Sequence, residues 1–411
     1  MKILVLAESL RVNETSSGIV SSTFINALLL GNHTVDCIYQ DSLTYPITWL
    51  NGVDNFVKVS YVDYQENKVV KKIPKLRGAL TNLTGLHIGF KKNIYCWVNK
   101  IEKQLEKKEY DLIIALGSGC SFLPHYALVR IKTAAKKMMN FHDPYPMTWY
   151  PEPYKHKWTI FYKWQEWHTK QICKEADFIS FPSELLKQHM IEKTNVNPNK
   201  CFVLPHVGCD LFNLPGNKND SSVFLAKDKF NILHSGALLG PRGIDALFEA
   251  YELFLNKDKK RKEKTVLNIL GNIDPKHQKN IGKGSSDNYQ IINKRVSYKK
   301  SKELQKEADV ALVIEAISNF SPFMPGKLSD IFFLEKVIFA LTPVNSETRR
   351  LLGENYEYLA KADEVAQILK CFEALWDNWR NENLVMTQKS ILKKYVSAKQ
   401  FNEILKQNLI L

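Results

Sequence analysis

Two α/β domains, each a doubly wound parallel sheet, are predicted for this chain on three observations. Its 411 residues are too many for one ordinary domain and suit two of about 200 each. Short runs that are aliphatic throughout alternate with helix-length amphipathic stretches, a rhythm that makes strands parallel and covers both sheet faces with helices. That rhythm breaks at the polar residues 215–222, which read as a linker, and then restarts.

In chain order, the first half offers strands at residues 3–6, 35–39, 112–116, 138–141 and 178–181. Helices are expected between them at 17–30, 95–107, 123–136, 158–175 and 183–193. The second half offers strands at 232–233, 266–270, 291–292, 310–314 and 337–341, with helices at 243–256, 301–307, 327–335 and 363–379. A last helix at 389–407 has no strand after it. The domains are therefore drawn at 1–205 and 206–385, with 386–411 expected to pack back on the first. Ligands of such sheets bind outside the carboxyl ends of the strands, so two sheets facing each other would hold substrate in a cleft.

Composition narrows the classes. With 45% hydrophobic and 24% charged residues the chain has a soluble globular profile. The run after Lys2 holds five apolar residues before Glu8, the length of a buried strand and too short for a signal peptide or a membrane span. The seven cysteines, Cys37, Cys96, Cys120, Cys173, Cys201, Cys209 and Cys371, include no Cys-x-x-Cys pair; they read as reduced thiols of a cytoplasmic protein. The net charge of +14 suits nucleic acid, an anionic membrane face or phosphate-bearing substrates. No nucleic-acid motif accompanies it, which disfavours the first.

Five segments carry chemistry. After the first strand, Ser17-Gly18 opens a helix whose free N–H groups favour an anion. Phe141-His142-Asp143-Pro144 leaves a histidine and a carboxylate at a strand's carboxyl end. The aromatic and basic stretch that follows, with Trp158, Trp164 and Trp167 among Lys157, Lys163 and Lys170, is core or a surface for lipid headgroups. The loop Gly236 to Gly243 brings Arg242 beside a helix start, a pairing of planar cation and backbone donors that suits a diphosphate. In Ser321-Pro-Phe-Met-Pro-Gly-Lys-Leu-Ser-Asp330, Lys327 and Asp330 stand three apart on one helical turn. A cation there meets phosphate; the carboxylate can accept from a ribose diol.

With these stations in order, the chain resembles the retaining GT-B glycosyltransferases of the family-4 type over nearly its whole length. The resemblance rests on Ser17-Gly18, on His142-Asp143-Pro144 and on the stretch Val203-Leu-Pro-His-Val-Gly-Cys-Asp210 leading to Phe212. It rests also on Gly236 with Arg242-Gly243, and on the segment from Ser321 to Leu341. It implies a sugar transfer from a UDP- or GDP-linked donor to a glycan or lipid-linked acceptor with retention, in cell-surface polysaccharide synthesis; the positive charge and the aromatic helix after His142 suit a cytoplasmic enzyme at the inner face of the membrane. No cofactor and no metal are expected, since cationic residues stand in for a metal and the sequence has no Asp-x-Asp or carboxylate cluster that would demand one. Arg242 and Lys327 would hold the donor diphosphate, Asp330 the ribose, and the backbone around Ser321, Phe323 and Met324 the sugar and phosphate. His142 would face the sugar, Val296 the base, and Gly18 would leave room for acceptor and phosphate. Several positions depart from the family: Pro322 stands where its first paired glutamate would, Ala237 replaces a loop arginine, and Glu335 and Val337 replace Gly and Pro. A nucleotide-sugar epimerase of the same fold and a non-catalytic binder of anionic polymers are the competing expectations.

Overall fold

The structure, a computed structural model, describes residues 1–40, 43, 45–61, 88–117, 119, 121–218, 220–277, 287–386 and 388–409. It divides into two compact units, Met1–His206 with Ala398–Leu411, and Val207–Ser397.

In the first unit, β1 (Lys2–Ala7), α1 (Ser16–Leu30), β2 (Thr34–Gln40), β3 (Asn55–Val59) and α2 (Ile88–Leu105) come first. Then follow β4 (Leu112–Leu116), α3 (Leu123–Leu128), β5 (Lys136–Asn140), α4 (Ile160–Glu175), β6 (Phe178–Phe181), α5 (Glu184–Thr194) and β7 (Cys201–Val203). The sheet order is β3-β2-β1-β4-β5-β6-β7, and its pairings are parallel. The order reverses between β1 and β4, which makes the ends of those two strands the switch point of this sheet. The helices begin where short polar side chains accept from backbone N–H groups: Thr15 from Gly18, Thr159 from Tyr162, Ser183 from Leu186.

Sequence periodicity extends the helix at 123–136 too far. Helix α3 ends at Leu128, because Lys136 and Lys137 are needed in register with Leu112 and Ile113 of β4, and the segment between must climb to that edge. The edge strands β3 and β7 carry too few consecutive apolar residues to be read from the sequence. Six cysteines are free thiols; Cys120 lies outside the described residues.

The second unit holds β8 (Phe230–Ser235), α6 (Asp245–Asn256), α7 (Lys259–Lys264), β9 (Thr265–Leu270), β10 (Tyr289–Ile292), α8 (Tyr298–Glu307) and β11 (Val310–Ile314). It continues with β12 (Phe320–Ser321), α9 (Gly326–Phe333), β13 (Val337–Leu341), β14 (Asn345–Ser346), α10 (Glu347–Leu352), β15 (Leu359–Ala360), α11 (Val365–Arg380) and α12 (Lys389–Tyr395). The sheet order is β10-β9-β8-β11-β13-β15, again with parallel pairings, so this unit's switch point lies between β8 and β11. One face is closed by Tyr251 and Phe254 of α6 against Phe372 and Trp376 of α11, all buried. Burying each such side chain contributes about 1.5–3 kcal/mol.

Two expectations are corrected here. Residues 215–222 are not the linker: they lie inside the second unit, where Asp220 accepts from Ser297 N at 2.9 Å and Ser297 Oγ at 2.7 Å. The helix expected at 389–407 is two helices, α12 and α13 (Ala398–Asn408). At the break the Val396 carbonyl accepts the Gly208 N–H at 3.0 Å rather than serving a longer helix. Helix α13 belongs to the first unit, with Phe401 edge-on to Phe24 at 4.8 Å and Asn402 donating to the Ala27 carbonyl at 2.7 Å.

Candidate functional site

The switch point of the second sheet gathers most of the chemistry. Strand β8 ends in His234-Ser235 with Gly236 directly after it, and β11 ends at Ile314 with Glu315 directly after it. The loop after β8 carries Arg242, whose backbone bridges to Ala316 beyond β11 and whose Nη1 donates to the Ala237 carbonyl at 2.8 Å. The Nε of Arg242 is buried without a partner.

Lys327 enters from the first turn of α9 and lays its amine against the His234 ring, 3.4 Å from Nδ1 and 3.5 Å from Nε2. Gly236 makes that approach possible. A Cβ there would come within 2.9 Å of Lys327 Nζ, and φ of +152° is one that only glycine adopts without strain. Burial, and then the charge of Arg242, push the Lys327 amine well below its ordinary pKa. Among the described residues neither Arg242 nor Lys327 forms an ion pair. Two cations held side by side, neither in an ion pair and with Glu315 the carboxylate that Arg242's charge reaches, leave positive charge to spare for a polyanion.

Beside them Glu315 is buried, and Ser321 Oγ donates to its Oε2. Burial raises its pKa, and the Ser321 bond opposes that rise. Ser321 is held in place by the short pairing of β12 with β14. Sequence reasoning gave neither Glu315 nor His234 a role: His234 is the penultimate residue of β8, and Glu315, just after β11, lies too early for the family's paired glutamate. What each one meets is set by the neighbouring strand, which the local pattern does not show. Met324 packs its side chain into the core, and Phe323 is half-buried.

Asp330 parts from Lys327. Its Oδ1 accepts from Tyr298 Oη at 2.7 Å and lies 3.6 Å from Lys302 Nζ. Lys302 in turn donates to the Cys209 carbonyl at 2.6 Å and meets Asp210 Oδ1 at 3.1 Å. The carboxylate is thus one end of a polar chain that ties α8 and α9 to residues 209–210. Val296, just before the Ser297 cap of α8, buries its side chain among Leu233, Leu270 and Leu304. Only its backbone is left to face a ligand.

In the first unit, Gly18 N–H is taken by Thr15 Oγ1 at 3.0 Å, and a Cβ on Gly18 would meet the Arg11 backbone at 2.6 Å. That close approach is what the glycine serves here. His142 follows β5 and is buried, with Nε2 unpartnered and the His206 ring edge-on at 5.7 Å. Burial lowers its pKa to about 4 and raises that of Asp143 to about 6. The imidazole is therefore neutral near pH 7, able to accept or donate one hydrogen bond.

A folded pKa of about 6 against an ordinary 3.8 means that Asp143 contributes stability below pH 3.8 that is lost as pH rises through 6. Asp143→Asn should accordingly stabilise the chain at pH 7.5 by on the order of 2 kcal/mol, read as a higher urea midpoint than wild type. An equal or lower midpoint would mean that ionised Asp143 is well compensated.

The outer face of α4 presents Ile160, Lys163, Trp167, Lys170 and Lys174, all exposed and spaced so as to form one stripe. Trp167 and the preceding Trp158 are each 58% exposed. Trp164 points the other way and stacks on Tyr126 at 5.7 Å. The stretch is thus divided: Trp164 is half-buried against the core, and Trp158 and Trp167 are surface. Among the described residues no helix is long and apolar enough to cross a membrane.

Residues 78–207 match the model of Glycosyltransferase Family 4. No curated protein sequence matches the chain. Among solved structures, sucrose-phosphate synthase from Thermosynechococcus elongatus is similar with a TM-score of 0.66 and 12% identity, over 99% of this chain and 99% of that one. A glycosyltransferase from Rickettsia africae gives a TM-score of 0.61 at 14% identity, over 100% and 98%. Anabaena HepE in complex with UDP and glucose gives 0.61 at 13% identity, over 100% and 99%. Likeness at such identities is one of fold, and the fold, two parallel-sheet α/β units, is GT-B.

Proposed function

We propose that this chain is a glycosyltransferase whose second unit binds the diphosphate of a nucleotide-linked sugar. The observation that carries the reading is the pair Arg242 and Lys327, two neighbouring cations at the sheet's switch point, neither in an ion pair among the described residues. Fold alone would not carry it, since one fold serves many chemistries. The partial match to a glycosyltransferase family and the likeness to a UDP-bound structure support the donor class.

The leaving diphosphate gains charge as the glycosidic bond breaks. Arg242 and Lys327 lie where that charge would develop, and their preorganisation stabilises it without solvent rearrangement. Neutralisation by two side chains makes a metal unnecessary for departure of the leaving group. Transfer with retention then follows front-face substitution, in which the acceptor hydroxyl attacks on the side the diphosphate leaves and hands it the proton. The protein's share is positioning and charge stabilisation. His142, neutral and with a free Nε2, suits a sugar hydroxyl; Val296 contributes backbone to the base. Asp330 is the ribose contact in this reading, with Tyr298 and Lys302 holding its orientation. The acceptor is a glycan or a lipid-linked glycan of a surface polysaccharide.

Saturating UDP or GDP should raise the melting temperature, by an amount equivalent to roughly 2–4 kcal/mol of stability. The shift should persist, with full turnover, in excess chelator. Absence of any shift with either nucleotide removes the donor reading and leaves an anionic-polymer binder. Donor conversion without any acceptor would instead make the enzyme an epimerase.

The lysine and tryptophan stripe on α4 supports a seat on the anionic inner membrane face, where indole rings rest at headgroup depth and ammonium groups meet lipid phosphate. The chain should float with vesicles containing phosphatidylglycerol and stay behind with pure phosphatidylcholine. Trp167→Ala combined with Lys170→Glu should weaken flotation about tenfold or more, a tryptophan and two charge units being lost. Equal recovery with both vesicles would discard the membrane seat.

A further inference from the structure

Lys327 is an unusual cation to find ordered. Its amine has no carboxylate partner among the described residues and lies near the charge of Arg242, yet it is drawn inward rather than extended to solvent. What it rests on is His234, whose ring is fully buried at the end of β8. The ring's own orientation is set independently of the lysine: Nδ1 lies 3.1 Å from the Leu312 carbonyl of β11. A carbonyl only accepts, so Nδ1 carries the hydrogen and the ring can stay neutral. On the far side, Gly236 leaves no Cβ to compete with the amine.

We propose that His234 is a positioning residue for the donor site, its ring and the bare backbone of Gly236 forming a niche that holds the Lys327 amine toward the diphosphate. The proposal rests on the reading of Lys327 as a diphosphate contact and adds to it the residue that places the lysine. An imidazolium at 234 would repel both cations, and burial together with Lys327 and Arg242 keeps its pKa well below the ordinary value. A smaller side chain would leave the amine free to move away from Arg242. Affinity for the phosphates would then fall while the nucleoside moiety would bind as before.

The test is a double-mutant cycle on the full chain, with UDP and uridine titrated by calorimetry against wild type, His234→Ala, Lys327→Ala and the double variant. Expected is a loss of about tenfold in UDP affinity for His234→Ala with uridine changed less than about twofold, and no further loss when His234→Ala is added to Lys327→Ala. His234→Gln, which retains a donor for Leu312 and an acceptor oxygen, should restore most of the UDP affinity, and it serves as the informative variant should alanine impair folding. Equal losses for UDP and uridine, or additive losses in the double variant, would overturn the positioning role. Should Lys327→Ala bind UDP as wild type does, the diphosphate reading itself falls, a result distinct from failure of the cycle.

Discussion

Arg242→Ala and Lys327→Ala should each slow sugar transfer by roughly ten- to a hundred-fold or more, the cost of removing one preorganised group that stabilises developing charge. Structure adds a second readout that separates function from folding. Lys327 is partly buried, lies beside Arg242 without a counter-ion and has its amine pushed well below the ordinary pKa. A buried cation held so costs stability. Lys327→Met, which retains the length of the side chain and drops the charge, should therefore lose turnover while melting no lower than wild type. Loss of both together would assign the lysine to the fold. Wild-type turnover in both alanine variants would remove the donor site.

Acidification from pH 7 to 5 should destabilise the first unit by several kcal/mol. His125, His142 and His206 are buried there, and burial lowers their pKa values to about 3, about 4 and about 3, from 6.5. A depressed histidine contributes stability that is fully present above 6.5 and lost as pH falls, because the unfolded chain takes up protons that the fold refuses. At pH 5 each histidine accounts for about 2 kcal/mol, or roughly 6 for three. Asp143 works in the opposite sense, but between pH 6 and 5 it returns only about 1.4 kcal/mol. The histidines win. Urea unfolding followed through the first unit's tryptophans should show a midpoint that falls steeply below pH 6.5, and His206→Gln should flatten the curve. A midpoint that holds or rises on acidification would show that the rings gain partners.

The strands were legible where their runs are apolar throughout. Residues 112–116, 178–181, 310–314 and 337–341 were read to the residue, since a strand covered on both faces needs nothing else. Strands β3, β7, β12, β14 and β15 were not, being short and carried by neighbours rather than by their own composition. Arg242 and Lys327 were legible because a cation at a loop–helix junction after a strand is a local pattern. His234 and Glu315 were not, for their meaning depends on which strand lies beside which.

What the sequence determined by itself was the count of α/β units, most of their strands and the helical turn that bears Lys327 and Asp330. The i, i+3 spacing placed these two on one turn, and the helix is there. Tertiary structure alone decided that they part, Lys327 toward His234 and Asp330 toward Tyr298 and Lys302. Spacing along a helix sets the direction a side chain leaves it. Which group it meets depends on the strand order, and β8 and β11 become neighbours only when the sheet is wound.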